Sequence, residues 1–383
     1  MKPLKLLLVA GEVSGDQHAA ALLDALRSRV ELAVLGLGGD LCAARGMRLL
    51  AHQKDLAVVG LVEALSKVRL ARRLIHRLVD EAVAQRVDGA VLIDSPDFNL
   101  PLARRLARAG IRVVFYVSPQ VWAWRSGRAR TLTSIGEAVL VLFAFEKRWY
   151  EERGLGSRVT WVGHPLVDEA EKELRETAPP PPDGTRRLVL MPGSRSGEIR
   201  RHLPVMRQAV ELLARAHRLE VVLIRAASVS EPLLDELAGP LLSQWRVVTG
   251  PHLALLASAD VLLVASGTAT VEGLLARVPM VVVYKVNALT FFLGKQLIKV
   301  PHVAMANLVS GADGVRTVPE LLQREATPER VAAAAAAFLE DPVLALRTRE
   351  RLGRGAADLG QPGAAERTAD AVLKALAPKS SLS

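Results

Sequence analysis

Two carboxylates close an apolar, strand-like run at residues 91–99, V-L-I-D-S-P-D-F-N. Asn99, followed by Leu100 and Pro101, has the make-up of a helix N-cap, and Asp97 that of a brace for the same turn. Asp94 has no such duty. A carboxylate at the carboxyl end of a strand, partly removed from water, becomes basic enough to take a proton from a hydroxyl. The next apolar run, F-Y-V, ends in Ser118-Pro119-Gln120 with Trp122 and Trp124 close behind. These tryptophans read equally as walls of a site and as core.

A second chemistry is anion binding. Gly11 to Asp16 (G-E-V-S-G-D) and Gly193 to Glu198 (G-S-R-S-G-E) share the pattern Gly-x-x-Ser-Gly-acid after an apolar run. In the first loop Gly15 permits close backbone approach, and Ser14 or Asp16 can cap the helix that follows. In the second, Gly193 and Ser194 precede Arg195, whose guanidinium can fork onto a phosphate or carboxylate. A third junction, Ser266-Gly267-Thr268, offers backbone amides to a diphosphate, and Glu272 can accept hydrogen bonds from ribose hydroxyls. Neither a GxGxxG fingerprint nor a Walker lysine accompanies these loops, which weighs against dinucleotides and ATP. Taken together they read as a nucleoside-diphosphate site, while each alone reads as a well-capped helix.

These side chains need a scaffold that presents strand ends. Short runs such as LKLLLVA, GAVLID, IRVVFYV, RRLVLMPG and ADVLLVAS alternate with amphipathic segments along the chain. Nearly continuous apolar strands separated by helices indicate parallel sheets covered on both faces. T-A-P-P-P-P-D-G-T, residues 177–185, bars helix and sheet and divides the pattern into halves. The expected fold class is α/β, with two Rossmann-like domains whose parallel sheets face a central cleft. The expected bounds are 1–176 for an acceptor-binding domain and 186–345 for a nucleotide-sugar domain. Helices over 346–383 then pack back across the domains.

At 383 residues each half can bury its own core. The single cysteine, Cys42, excludes an internal disulfide framework and fits a reducing cytoplasm. The apolar run near Met1 is too short for a signal peptide, and none approaches the roughly 18 residues of a membrane span. A net charge of +10 suits nucleic acid, anionic lipid or phosphorylated substrates. Seven Phe, five Trp and three Tyr leave little for base stacking, which argues against nucleic acid. Residues 59–79 mix apolar positions with Arg69, Arg72 and Arg73, the pattern of an interfacial basic amphipath or of an ordinary solvated helix face. Residues 287–299, with Phe291 and Phe292 beside lysines, form a second such stretch.

The sequence resembles the bacterial lipid-A-disaccharide synthases, inverting glycosyltransferases of the two-domain B-type architecture. The resemblance rests on AGEVSGD (10–16), DLAVVGLVEAL (55–65), IDSPDFN (93–99), YVSPQVWAWR (116–125), FEKRWY (145–150), VGHPLVDE (162–169), PGSRSGEI (192–199), ASGTATVE (265–272), NLVSG (307–311) and VPELLQ (318–323). Two departures stand near the acceptor side: Asp40-Leu41-Cys42 replaces a methionine-containing turn, and His18 replaces a small residue. The resemblance implies a UDP-2,3-diacylglucosamine donor and a 2,3-diacylglucosamine 1-phosphate acceptor. The products would be a β-1,6-linked disaccharide phosphate and UDP. It assigns Asp94 the role of catalytic base, places Asn307 near the nucleotide and His164 on the acceptor side, and calls for neither metal nor cofactor. It further implies a homodimer at the inner face of the cytoplasmic membrane, where the acylated substrates reside. Two other readings stay open: another nucleotide-sugar enzyme, such as a 2-epimerase or a lipid-linked glycosyltransferase, and a non-catalytic basic nucleotide- or RNA-binding protein.

Overall fold

The computed structural model describes residues 3–56, 64–286, 302–311 and 315–377. Two compact units emerge, one formed by Met1–Pro165 with Gly360–Ser383 and the other by Leu166–Leu359.

In the first unit, seven parallel strands alternate with helices. The strands are β1 (Leu4–Ala10), β2 (Leu32–Gly38), β3 (Arg48–His52), β4 (Gly89–Ile93), β5 (Val113–Tyr116), β6 (Ala138–Val141) and β7 (Val159–Trp161). They lie in the order β3-β2-β1-β4-β5-β6-β7. Six helices connect them: α1 (Val13–Arg27), α2 (Asp40–Ala44), α3 (Ala64–Ala84), α4 (Pro96–Arg108), α5 (Arg128–Ile135) and α6 (Ala144–Glu151). Leu6 to Ala10 are all buried, because helices cover both faces of the sheet and leave no side for alternation. Leu7, Val9, Leu92 and Phe115 pack with Leu74 and Leu78 of α3 and Leu102 and Leu106 of α4.

The second unit repeats the plan with α7 (Leu166–Glu173), β8 (Arg186–Met191), α8 (Ser196–Leu213), β9 (Leu219–Ile224), α9 (Glu231–Ala238), β10 (Arg246–Val248), α10 (Leu253–Ala257), β11 (Val261–Ala265), α11 (Ala269–Leu275), β12 (Met280–Tyr284) and β13 (Glu320–Leu322). Its strand order is β10-β9-β8-β11-β12-β13, the same path relative to its first strand. Both orders reverse beside the first strand, the switch point at which open parallel sheets bind ligands. Helices α12 (Met305–Ser310), α13 (Pro328–Glu340) and α14 (Pro342–Ala357) complete this unit, and Val331 and Phe338 of the alanine-rich α13 seal its core. The final helix, α15 (Ala364–Leu376), belongs to the first unit. There Arg29 Nε bonds Asp370 Oδ1 at 3.0 Å, Arg367 Nε donates to the Val162 carbonyl at 2.8 Å, and Leu376 lies against Gly89.

The first unit therefore closes at Pro165 rather than at residue 176, because α7 packs on α10 and α11. Of the tail, α14 stays with the second unit and only α15 returns to the first. The proline-rich stretch is tied down at one point, where Arg187 Nη2 donates to the Pro179 carbonyl at 2.7 Å.

Candidate active site

Strand β4 delivers Asp94 at its carboxyl end, half-buried, with φ 47°. Ser95 follows with φ 44°, and on the neighbouring strand Val117 has φ 57°. Three consecutive-strand-end residues other than glycine in the left-handed region mark a locally strained edge, each position unfavourable by about 1–3 kcal/mol. Asn99 holds it in place. Helix α4 starts at Pro96 with Ser95 in the cap position, so Asn99 lies inside the helix and is not its N-cap. Its buried Nδ2 reaches back to the carbonyls of Ile93 (3.0 Å) and Asp94 (2.7 Å). Asp97 is exposed and pairs with Arg125 (3.3 Å) and Arg128 (2.6 Å).

Glu146 joins this edge from the first turn of α6. In sequence it is one charged residue of FEKRWY, with no neighbour that marks it as buried. Its Oε1 accepts the indole N–H of Trp122 at 3.0 Å, and its Oε2 accepts the amides of Leu142 and Phe143 at 3.1 Å. Burial pushes its carboxyl up to about 7, the three hydrogen bonds oppose this, and the negative charge of Asp94 adds to it. Trp122 thereby has a defined partner, and Phe145 meets it edge-on at 5.0 Å. Ser118 is buried, its hydroxyl 3.0 Å from that of Tyr150. Gln120 is exposed.

His164 follows β7 and is buried, with its ring 6.4 Å from that of His18 and 5.2 Å from Phe143. Burial, then the neighbouring His18, pulls His164 down to about 3, and burial pulls His18 down to about 4. Both imidazoles are neutral at pH 7. Because their folded values lie below the ordinary 6.5, the stability they contribute is complete above pH 6.5 and is lost as pH falls toward 4 and 3. Glu146 slopes the other way: with its folded value raised, it weakens the fold as pH climbs from about 4.5 to about 7. Glu146→Gln, which removes the ionisable group, should therefore gain in stability relative to the parent as pH rises across that window. Urea unfolding at several pH values reads this directly, and a constant difference between the two proteins would refute it.

The two glycine loops, alike in sequence, part ways in structure. Helix α1 begins at Val13 with Glu12 in the cap position, so neither Ser14 nor Asp16 caps it. Asp16 is buried and instead accepts amides from Gly39 (2.7 Å), Leu41 (3.0 Å) and Cys42 (3.3 Å), anchoring the start of α2. A Cβ on Gly15 would meet Ala10 and Ile93 at ordinary contact distance, so no close backbone approach requires glycine there, and Ser14 is half-buried. In the second loop Glu198 turns back on its own chain. Its Oε2 accepts the amides of Ser194 (3.1 Å) and Arg195 (3.3 Å), and its Oε1 pairs with the Arg195 guanidinium at 3.3 Å. Gly193 is obligatory: at φ 121° a Cβ would lie 2.7 Å from the Glu198 carboxylate. His202 fixes the loop from below, with its Nδ1 3.0 Å from the Pro192 carbonyl and its Nε2 accepting the Lys285 amide at 3.0 Å.

At the other junction Gly267 (φ 151°) and Thr268 are exposed, and nothing lies within 4 Å of a Cβ built on Gly267. Ser266 donates to the Val303 carbonyl at 3.3 Å. Glu272, half-buried, bonds His252 Nε2 at 3.2 Å. Burial opposes charging of His252, but Glu272, the Gly250 carbonyl and Glu173 outweigh it and raise its affinity for a proton. Asn307 is fully buried, donating to the Val318 carbonyl and Glu320 and accepting the amides of Thr317 and Val318, so it ties α12 to residues 317–320.

Arg69, Arg72 and Arg73 all lie exposed on α3, opposite its buried Leu74, Ile75 and Leu78. Phe291 and Phe292 lie outside the described residues. Among the described residues no group of three or more His, Cys, Asp or Glu is placed to hold a metal, and no helix is long and apolar enough to cross a membrane.

Two Rossmann-type parallel sheets, each flanked by helices, define the class as a B-type glycosyltransferase fold. The calicheamicin glycosyltransferase CalG4 shares it with a TM-score of 0.64 at 18% identity, covering 99% of this chain and 100% of that one. UDP-GlcNAc 2-epimerase from Neisseria meningitidis, solved bound to UDP-GlcNAc, shares it with a TM-score of 0.65 at 12% identity, covering 97% and 100%. Within that class the chain belongs to the lipid-A-disaccharide synthetase family, whose profile matches residues 6–374. The lipid-A-disaccharide synthase of Syntrophus aciditrophicus (strain SB) is 40% identical over 371 residues, 95% of each chain.

Proposed function

We propose that the protein is a lipid-A-disaccharide synthase. It transfers 2,3-diacylglucosamine from its UDP derivative to 2,3-diacylglucosamine 1-phosphate, giving a β-1,6-linked disaccharide phosphate and UDP. The observation that carries this is the family match, which runs through both units and includes the strained edge bearing Asp94. In this reading the first unit binds the acceptor, and Asp94 takes the proton of the attacking hydroxyl as it reaches the anomeric carbon. The second unit binds UDP: Gly267, Thr268 and Arg195 meet the diphosphate, and Glu272, oriented by His252, meets the ribose. A diphosphate at the Gly193 loop must displace Glu198 from the amides it now occupies, or bind beside it through Arg195. Donor and acceptor together should yield UDP and disaccharide phosphate in equal amounts, read by mass spectrometry. Conversion of the donor alone to a 2-epimer would place the protein with the epimerases instead.

The acylated substrates require contact with a lipid surface, and the exposed arginines of α3 suit anionic headgroups. With Val68 and Leu70, also exposed, they make a mixed basic and apolar face. Binding is then peripheral, at the inner face of the cytoplasmic membrane. Replacing Arg69, Arg72 and Arg73 together by Gln should reduce cosedimentation with phosphatidylglycerol vesicles, by about 1 kcal/mol of binding per charge. Unaltered sedimentation would leave α3 an ordinary solvated helix.

A further inference from the structure

Beyond Tyr116 the chain runs through the motif YVSPQVWAWR to Arg125, which sits at φ 54°. An arginine in the left-handed region is unusual, and this one begins and ends a constrained segment with Val117. Ser118 and Trp122 tie the segment to Tyr150 and Glu146, so the position of Arg125 is imposed by buried contacts. Its guanidinium lies 4.7 Å from the centre of the Trp124 ring, and that of Arg128 lies 5.8 Å from the same ring. Both guanidiniums donate to one oxygen, Asp97 Oδ1.

One arginine would suffice to pin this segment to α4. Two arginines on one carboxylate leave an excess unit of positive charge, and each fork keeps donors beyond the single bond to Asp97. Arg125 is 46% exposed and Arg128 23%, so the charge is presented at the surface but restrained against an aromatic plane. Asp97 stands three residues from Asp94, in the first turn of the helix that Asp94 precedes. A restrained pair of forks beside the proposed base is suited to a phosphate monoester, which guanidinium recognises in bidentate fashion.

We infer that Arg125 and Arg128, steadied by Trp124 and Asp97, form the subsite for the phosphate of the acceptor. This rests on the synthase reading above and adds to it the residues that distinguish a phosphorylated from an unphosphorylated acceptor. The double variant Arg125→Gln/Arg128→Gln tests it, with kcat/KM measured for 2,3-diacylglucosamine 1-phosphate and for the same sugar carrying a methyl group in place of the phosphate. The parent should prefer the phosphorylated acceptor, and in the variant that preference should shrink roughly 10- to 100-fold, the weight of hydrogen bonds to a charged group. The urea midpoint of the first unit, followed through the fluorescence of its four tryptophans, reports that the variant is folded. Arg125→Lys/Arg128→Lys, which keeps the charge but not the fork, should recover part of the preference. If both acceptors lose equally, or the preference is unchanged, the subsite is refuted while the synthase reading stands. If the parent turns over neither acceptor, the synthase reading fails and the subsite falls with it.

Discussion

Asp94→Asn should lower the turnover number by about 10²–10⁴-fold, the usual contribution of a general base. The amide keeps the size of the carboxylate but cannot accept the hydroxyl proton. The backbone around it is held by other groups: Asn99 clasps the carbonyls of Ile93 and Asp94, and the Asp94 amide donates to the Tyr116 carbonyl at 3.1 Å. Asparagine also tolerates the left-handed φ at this position better than most residues. Folding and UDP affinity should therefore be those of the parent, and the loss should appear in single-turnover rates at saturating substrates. Asp97→Asn should cost less, because its carboxylate acts through the two arginines. A near-parental rate for Asp94→Asn, or a larger loss for a well-folded Asp97→Asn, would assign the base to another residue.

Arg187→Met should destabilise the second unit by about 3–5 kcal/mol, the range for removing one partner of a buried ion pair. Arg187 is 1% exposed on β8, and its guanidinium meets three different segments. Nε donates to Glu220 Oε2 at 2.8 Å, Nη1 to the Ser258 hydroxyl, and Nη2 to the Pro179 carbonyl. Methionine fills the stem but removes the donor from all three acceptors at once and leaves the Glu220 carboxylate without its partner charge. Trp245, the one tryptophan in this unit and itself buried, reports the transition by fluorescence in urea. Residues 177–185 should become more susceptible to protease at the same time. A transition midpoint equal to that of the parent would show that the buried charge was not being stabilised by its partners.

The architecture was legible because its signal is local. Runs such as LLLVA and VLLVA are buried along their whole length, which only doubly covered parallel strands require. The placement of Asp94 at a strand end was legible for the same reason, as the first polar residue after such a run. Asn99 was misread because a polar residue before Pro101 satisfies the cap pattern, whereas Pro96 at the first helical position is the real start. The burial of Glu146 and the pairing of His18 with His164 are not legible in sequence, because both arise from strand order, which brings the ends of β1, β4, β6 and β7 to one edge. Glu198 is a different case. An acid three residues after the cap position can turn back onto the amides that precede the helix, so its return to the loop is legible from spacing alone.

The return of α15 to the first unit has a consequence for how the chain is made. Strands β1 to β7 leave the ribosome first, but the helix that covers Gly89 and pairs with Arg29 follows the whole of Leu166–Leu359. During translation the amino-terminal sheet must wait with an uncovered apolar patch while the later unit, continuous in sequence, is free to complete itself. The order of completion is thus the reverse of the order of synthesis, and the interval before Leu376 docks is when this protein is most exposed to aggregation and to chaperone capture.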